Sequence, residues 1–302
     1  MKNTIDFEVI IIGGSYAGLS AAMALGRSLR NVLIIDSGLP CNRQTPKSHN
    51  FITNDGVKPD EIAAIAKSEV LKYETVKLLK DVAISGKKVE NRFNIRTKLG
   101  KEFSAQKLIF ATGVTDIMPG IKGFSECWGI SVVHCPYCHG YEIRNKKTGI
   151  IANGDKAIHL ASLVNNLTKD LTILTLGKAE FNEEQLLKLK KYNITIIEKD
   201  ILEIVHVNGK IKNVILQDNS IENFSALYAS IPFKQHLDIP ELLGCELTEP
   251  GYIAVDVFSK TTVEGVFACG DNTIKMRSVA NAVAQGNIAG AMVNMELTNE
   301  QF

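Results

Sequence analysis

Apolar positions cluster at residues 9–12 and run directly into Gly13-Gly14-Ser15. An alanine-rich stretch at helical spacing follows over residues 19–29, and then a second apolar run at 31–35. A strand, a tight turn, a helix and a second strand within about 30 residues predict a βαβ unit of the dinucleotide-binding kind. Residues 59–79 carry apolar positions at helical spacing and predict one or two helices. Alternating patterns at 89–97 and 102–108 predict short strands, and "KLIFATG" brings a strand to Ala111-Thr112-Gly113, small residues that permit close approach of a ligand. "MPGIKG", residues 118–123, reads as a linker.

A second unit begins with "TGIIANGDKAIHLASLV", again a strand, a glycine turn and a helix, followed by a strand at 171–176. It is a degenerate echo of the first, with Ala152 at the first glycine position and Gly154 and Ala157 at the next two. Further strands are predicted at 194–197, 201–207, 211–216 and 226–236. In the tail, residues 251–271 read as a strand, a connection and a second strand that ends at Gly270-Asp271, and a helix is predicted over 278–296. The expected fold class is α/β, with two Rossmann-like nucleotide-binding domains, the second inserted into the first. Residues 1–117 and 247–302 would make the first domain and 118–246 the second.

Each position of the first turn has a physical duty. Gly13 allows the tight turn, Ser15 stands where the usual middle glycine lets a pyrophosphate approach the backbone, and Gly18 lets helix and strand pack closely. Asp36 lies 23 residues after Gly13, at the end of the second strand, where a carboxylate accepts hydrogen bonds from a ribose hydroxyl. The strict glycine pattern is weakened at Ser15, and the strand, turn and acidic residue around it support dinucleotide binding.

Composition narrows the partners. The 34 basic and 33 acidic residues among 302 leave a net charge of +1 with no basic block, which argues against nucleic acid. With 45% apolar residues the chain can build a substantial core. No apolar run is long enough to span a bilayer and no early segment reads as a cleaved leader, so an intracellular, cytoplasmic protein is expected.

Cysteine usage is sparing: residues 41, 127, 135, 138, 245 and 269. Four of them have no motif and read as buried small hydrophobes. Cys135 and Cys138 lie in "HCPYCHGYE", between His134 and His139. A structural zinc site wants four ligands, and this stretch supplies two cysteines with histidines too close in sequence, so no metal is expected. A disulfide across two residues opens and closes easily, and an exposed thiol beside a covered one gives attacking and resolving roles. Beside a dinucleotide fold, redox chemistry is the favoured use.

On these residues the chain resembles the thioredoxin reductase-like flavoprotein disulfide oxidoreductases, low-molecular-weight type. The resemblance rests on the turn at 13–18, Ala111-Thr112-Gly113, the cysteine pair inside the second domain, the Gly154 turn, Gly270-Asp271 and the closing helix. It implies that Gly13, Gly14, Ser15, Ala17, Gly18 and Asp36 bind the pyrophosphate and adenosine half of FAD. It also implies that Thr112 and Gly113 line the cofactor and that Gly270 and Asp271 lie where its ribityl chain is held. Cys138 would face the flavin, and Cys135 would be the interchange thiol that meets a small-molecule or protein disulfide or dithiol. A homodimer, and a hinge that presents the pair alternately to flavin and to substrate, are implied by the resemblance alone.

Two departures matter. Relatives usually place an aspartate after the second cysteine as proton donor, whereas this chain has His139, whose intrinsic pKa suits acid–base work near neutral pH. His134 is the lesser candidate and reads as a satisfied loop histidine. "CPYCHG" resembles the branch that handles small dithiols. NADPH-dependent relatives also present arginines beyond the second domain's second strand, but here "TILTLGKAEFN" offers Lys178 as the only nearby cation. A lone lysine there is a point-charge phosphate contact or a solvated side chain. In the favoured direction NAD(P)H reduces FAD, FAD reduces Cys135–Cys138, and the dithiol reduces a disulfide; Gly154 and Lys178 would then contact the nicotinamide nucleotide. In the alternative, a dithiol reduces the pair and O2 takes the electrons to give H2O2. A flavin-bearing redox sensor without turnover and a monooxygenase on the same fold are further readings. Steady turnover with thiols excludes the sensor, and the monooxygenase needs no CxxC beside a flavin.

Overall fold

The computed structural model describes residues 5–302, which divide into two compact units. Unit 1 comprises the chain up to Arg43, residues 51–115 and residues 233–302, and unit 2 comprises residues 44–50 and 116–232. Among the described residues, no helix is long and apolar enough to cross a membrane.

Unit 1 opens with β1 (Ile5–Ile12), α1 (Tyr16–Arg27) and β2 (Val32–Asp36). It continues with α2 (Pro59–Val70), β3 (Val76–Lys80), β4 (Ala83–Val89), β5 (Arg92–Thr97) and β6 (Glu102–Phe110). Their order in the sheet is β3-β2-β1-β6-β5-β4, with β1, β2, β3 and β6 parallel and β4 and β5 antiparallel. Residues 9–11 are wholly buried because both sheet faces are covered, which is why this strand reads as a continuous apolar run. Leu19, Ala21 and Leu25 of α1 cover one face, and Phe93, Ile95, Phe103 and Ile239 cover the other.

Residues 233–302 complete the unit. The strand Val266–Ala268 pairs in parallel with Leu108, Ile109 and Phe110 of β6. The closing helix, Val279–Gln301, then packs on α1 at backbone distance. A Cβ on Gly286 would lie 2.1 Å from the Ala17 carbonyl oxygen, and one on Gly290 2.5 Å from that of Ala21. Lys107 of β6, almost wholly buried, is paired with Glu296 (3.1 Å) and Glu300 of the same helix.

Unit 2 holds a five-stranded parallel sheet in the order Thr195–Ile197, Leu171–Leu174, Thr148–Ile151, Ala226–Ala229, Val132–Val133. A three-stranded antiparallel sheet, Ile201–Val207, Lys210–Leu216 and Ile221–Glu222, accompanies it. The α/β class and the two Rossmann-type units agree with the expected fold.

Several elements differ from expectation. The helix begun at Pro59 ends at Val70, and residues 76–80 form β3, because pairing with β2 outweighs the helical spacing of Val76 and Leu79. Residues 89–97 are not one strand: β4 and β5 meet at a turn in which Glu90 has φ 54°. The tail's first strand is reduced to an isolated bridge between Leu247 and Ile253. The helix Glu183–Lys191, closed by a capping box from Asn182 and Gln185, was not expected. The second boundary falls at 232/233, ahead of 246, because Ile239 and Cys245 pack into the core of unit 1 with Phe93 and Ile95. Residues 44–50 group with unit 2, which no sequence feature suggests. Cys127, Cys245 and Cys269 are buried, whereas Cys41 is exposed in a turn.

The helix contact is testable. Gly286→Ala should lower the stability of the chain by about 1–3 kcal/mol, because backbone cannot yield as a side chain does. Urea unfolding would show this as a lower midpoint; an unchanged midpoint would mean that the two helices separate at no cost.

Candidate active site

Cys135 and Cys138 sit at the carboxyl end of the edge strand Val132–Val133, where parallel sheets place their chemistry. Pro136 starts a helical turn over Pro136–His139, its fixed φ suited to a first helical position. The Cys135 sulfur accepts a hydrogen bond from the Cys138 backbone N–H (3.1 Å), and the Gly140 N–H donates to the Pro136 carbonyl (2.8 Å). The two cysteines form a disulfide with a Cα–Cα distance of 5.3 Å. Gly140 must be glycine: a Cβ there would meet the Pro136 oxygen at 2.3 Å and Leu167 at 2.4 Å. Both sulfur-bearing residues are half-buried, while Tyr137 between them and Tyr141 after them are exposed.

Four further groups of the same unit are linked to this turn. His139 is half-buried, and its pKa is pushed down to about 4, first by burial and second by the charge of His49. His49 in turn lies 3.6 Å from the Glu142 carboxylate, Nε2 to Oε1. Tyr228, fully buried on the neighbouring strand, has a hydroxyl with no hydrogen-bond partner among the described residues, and burial, followed by the Glu142 charge, raises its pKa. His134 is placed differently: its ring stacks on Trp128 at 5.7 Å and 28°, and the Trp128 indole N–H donates to Asp116 (3.1 Å). His49 and Tyr228 escaped the sequence reading, since no spacing relates either one to the cysteines.

In unit 1 the sequence-predicted residues cluster around the Gly13 turn. Gly13 has φ +105°, and a Cβ there would lie 2.2 Å from the Ala111 carbonyl oxygen. A Cβ on Gly18 would lie 1.9 Å from the Gly13 oxygen, so strand, turn and α1 touch at backbone level. Ser15 precedes α1 without a side-chain cap, and no acidic residue occupies the first turn, which leaves the positive helix start to an anion. Asp36 accepts hydrogen bonds from the N–H groups of Gly14 (3.0 Å) and Gly38 (3.2 Å), one on each carboxylate oxygen.

Thr112 is fixed by Asn272, a buried residue not singled out by sequence, whose amide donates to the Phe110 carbonyl (2.9 Å) and to Thr112 Oγ1 (3.2 Å). Gly113 has open space where a Cβ would stand. The Gly270 N–H donates to Gln285 Oε1 (2.7 Å), a Cβ on Gly270 would come 3.0 Å from that of Ala17, and Asp271 lies 3.5 Å from Arg277 Nε.

The second turn is built otherwise. Asn153 Oδ1 accepts from the N–H groups of Gly154 and Glu180 (2.9 Å each), and its Nδ2 donates to the Lys178 carbonyl (2.8 Å). Asp155 occupies the first helical turn, and Glu198 accepts from the Ala179 N–H (2.6 Å). The Lys178 side chain is exposed.

A glycine turn beneath a capless helix and a disulfide turn beside a parallel sheet define a dinucleotide-type redox protein. The chain belongs to the pyridine nucleotide-disulphide oxidoreductase family, which it matches over residues 7–286. It is 34% identical to thioredoxin reductase tcpT of Claviceps purpurea, over 98% of this chain and 96% of that protein. Identity with the thioredoxin reductase of Treponema pallidum is 30%, over 94% and 95% of the two chains. The crystal structure of an oxidoreductase from Agrobacterium tumefaciens superposes with a TM-score of 0.91 at 37% identity, covering 98% of this chain and 99% of that one. The protein is thus a thioredoxin reductase-like oxidoreductase.

Two measurements follow from the surroundings of the pair. The folded protein holds the His139 pKa below its ordinary 6.5, so the unfolded chain takes up that proton first as pH falls. The stability owed to neutral His139 is whole above pH 6.5 and is lost as pH drops toward 4. Thermal melts of His139→Gln should therefore fall less steeply than wild type across that window; parallel slopes would mean that His139 is not desolvated. Tyr228→Phe should leave stability unchanged or raise it by up to about 1 kcal/mol, because the hydroxyl it removes is buried without a partner. A clear loss on chemical unfolding would show that the hydroxyl is bonded.

Proposed function

We propose that the chain is an FAD-dependent thiol–disulfide oxidoreductase of thioredoxin reductase type, drawing electrons from NAD(P)H and delivering them through Cys135–Cys138 to a small-molecule or protein disulfide. One observation carries the reading: two half-buried cysteines closed as a disulfide on a proline-started turn, next to His139. The names of the relatives support the reducing direction.

The residues of unit 1 fit FAD. The uncapped start of α1, with Gly13, Gly14, Ser15, Ala17 and Gly18, suits a pyrophosphate, and each Asp36 oxygen keeps a lone pair for a ribose hydroxyl. Thr112, Gly113, Gly270 and Asp271 would line the remainder, with the space beside Gly113 supporting that assignment. FAD bound there supplies two-electron exchange with a dithiol. Cys138 is assigned the flavin-facing role and Cys135 the role of meeting substrate. His139 would take and return the thiol proton.

A second reading, an O2-dependent dithiol oxidase that makes a disulfide and H2O2, is favoured by the second turn. Asn153 occupies the N–H groups of Gly154 and Glu180, and Asp155 places negative charge at the helix start where a pyrophosphate would need positive. Glu180 and Glu198 flank Lys178, leaving one cation among acids for a 2′-phosphate. Under this reading the second unit keeps the Rossmann fold without nicotinamide binding.

Anaerobic visible titration of the yellow protein decides between them. Bleaching of the flavin band by NADPH or NADH supports the first reading, whereas bleaching only by a small dithiol, with recovery in air and H2O2 release, supports the second. Under either one, Cys135→Ser and Cys138→Ser should each lower turnover by ~10⁴-fold or more while FAD stays bound. Turnover that survives both substitutions would overturn the assignment of the pair.

A further inference from the structure

His49 reaches the redox centre from a distant part of the chain. Residues 44–50 belong to unit 2, whereas Arg43 before them and Phe51 after them belong to unit 1. Gln44 anchors the segment by donating to the Ser125 carbonyl (3.3 Å), and Thr45 lies 3.1 Å from where a Cβ on Gly129 would stand. Asn50, next to His49, adopts the left-handed conformation at φ 58°, which asparagine tolerates. These contacts bring His49 Nε2 within 3.6 Å of Glu142 and close enough to His139 for its charge to be felt there.

Exchange at the pair moves a proton with every bond change. When a substrate thiol attacks Cys135, a substrate-sulfur–Cys135 bond forms, the Cys135–Cys138 bond breaks, and Cys138 departs as a thiolate holding the bonding electrons. The proton of the attacking thiol must then leave. His139 adjoins Cys138 and can take it, but its partial burial and the neighbouring charge of His49 hold its pKa down, so it does not keep the proton. The side chain of His49 is 16% exposed and that of Glu142 41%, so the pair opens toward water at its Glu142 end. A carboxylate beside an imidazole orients the ring and stabilises the imidazolium formed on transfer. Of the titratable groups facing this cluster, Tyr228 stays protonated, held so by burial and by Glu142, and offers no acceptor.

We propose that His49, held by Glu142, is the positioning residue that passes the exchange proton between His139 and solvent. The path would run from the thiol to His139, His49 and Glu142, and inward along the same groups when a disulfide is reduced. The inference rests on the thiol–disulfide assignment of Cys135–Cys138. It assigns work to a residue that no motif points to.

The test uses the FAD-loaded protein with dithiothreitol as the thiol, without oxygen, and follows the rate of flavin bleaching from pH 5 to 9. His49→Ala should slow bleaching by about 10–100-fold at neutral pH, and added imidazole should restore the rate in proportion to its concentration. Glu142→Gln, which keeps size and shape, should move the acid limb of the pH–rate profile to lower pH. FAD absorbance and melting temperature report folding independently of turnover. A His49→Ala protein with the wild-type rate and profile overturns the inference, and so does a slow one that imidazole does not lift. Should His49→Ala fail to fold, an unshifted profile in Glu142→Gln overturns it equally. If Cys138→Ser still exchanges with dithiothreitol, the thiol–disulfide assignment fails; if that variant is inactive and the His49 and Glu142 variants match wild type, the proton path alone fails.

Discussion

Unit 1 depends on a backbone contact between two helices that the whole of unit 2 separates in sequence. Ala17 is the hinge pin of that contact. Its carbonyl faces Gly286 of the closing helix at a distance that excludes any side chain, and its methyl stands against Gly270. The Gly270 N–H is bound in turn by Gln285 of the same helix. A larger residue at 17 or 286 would therefore push the Gly13 turn and Gly270-Asp271 apart together, although they lie at opposite ends of the chain. The antiparallel pair β4 and β5 and the ion cluster of Lys107, Glu296, Lys260 and Glu300 hold the sheet and the closing helix in place around this point. Burial lowers the pKa of Lys107, but the hydrogen bonds it donates to the two carboxylates outweigh this, so the pKa ends raised and the cluster stays charged.

The two glycine turns show how one local geometry serves opposite electrostatics. Both follow a buried parallel strand and open a helix, so both have a positive helix end. In unit 1 that end carries neither acid nor cap. In unit 2, Asn153 caps it from within and Asp155 neutralises it. Fold alone cannot distinguish these outcomes, because side chains on the turn decide whether an anion is welcome. The family assignment covers both turns alike, and the difference between them carries the question of electron source.

Much of the frame was legible because burial imposes a pattern. A parallel strand covered on both faces has to be apolar throughout, and residues 9–12 and 32–35 show it. The Gly13 turn was legible because backbone contacts of about 2 Å admit no Cβ, and only glycine meets that demand. Residues 76–80 misled because their spacing fits a helix, and only the neighbouring edge of β2 decides for a strand. The 232/233 boundary was hidden because residues 233–246 carry no composition change, and their allegiance is set by where Ile239 packs. His49 was invisible for a similar reason. Its placement arises because residues 44–50 group with residues 116–232, which no local pattern encodes.

The redox centre gains from this placement. Cys135, Cys138, His139, His49, Glu142 and Tyr228 all belong to unit 2, so the sulfur chemistry and its proton partners form one body. A disulfide exchange whose proton acceptor belonged to a different unit would be competent only when that unit was in place. Here the proposed acceptor belongs to the same unit as the sulfurs. Covering His139 costs it basicity, and a covered imidazole beside a second imidazole is a poor place to store charge. That weakness suits a carrier, which must release a proton as readily as it accepts one, and the more exposed Glu142 gives the proton somewhere to go. Under this proposal the chain divides the work between two rings and a carboxylate, one ring beside the sulfur and two groups to reach water.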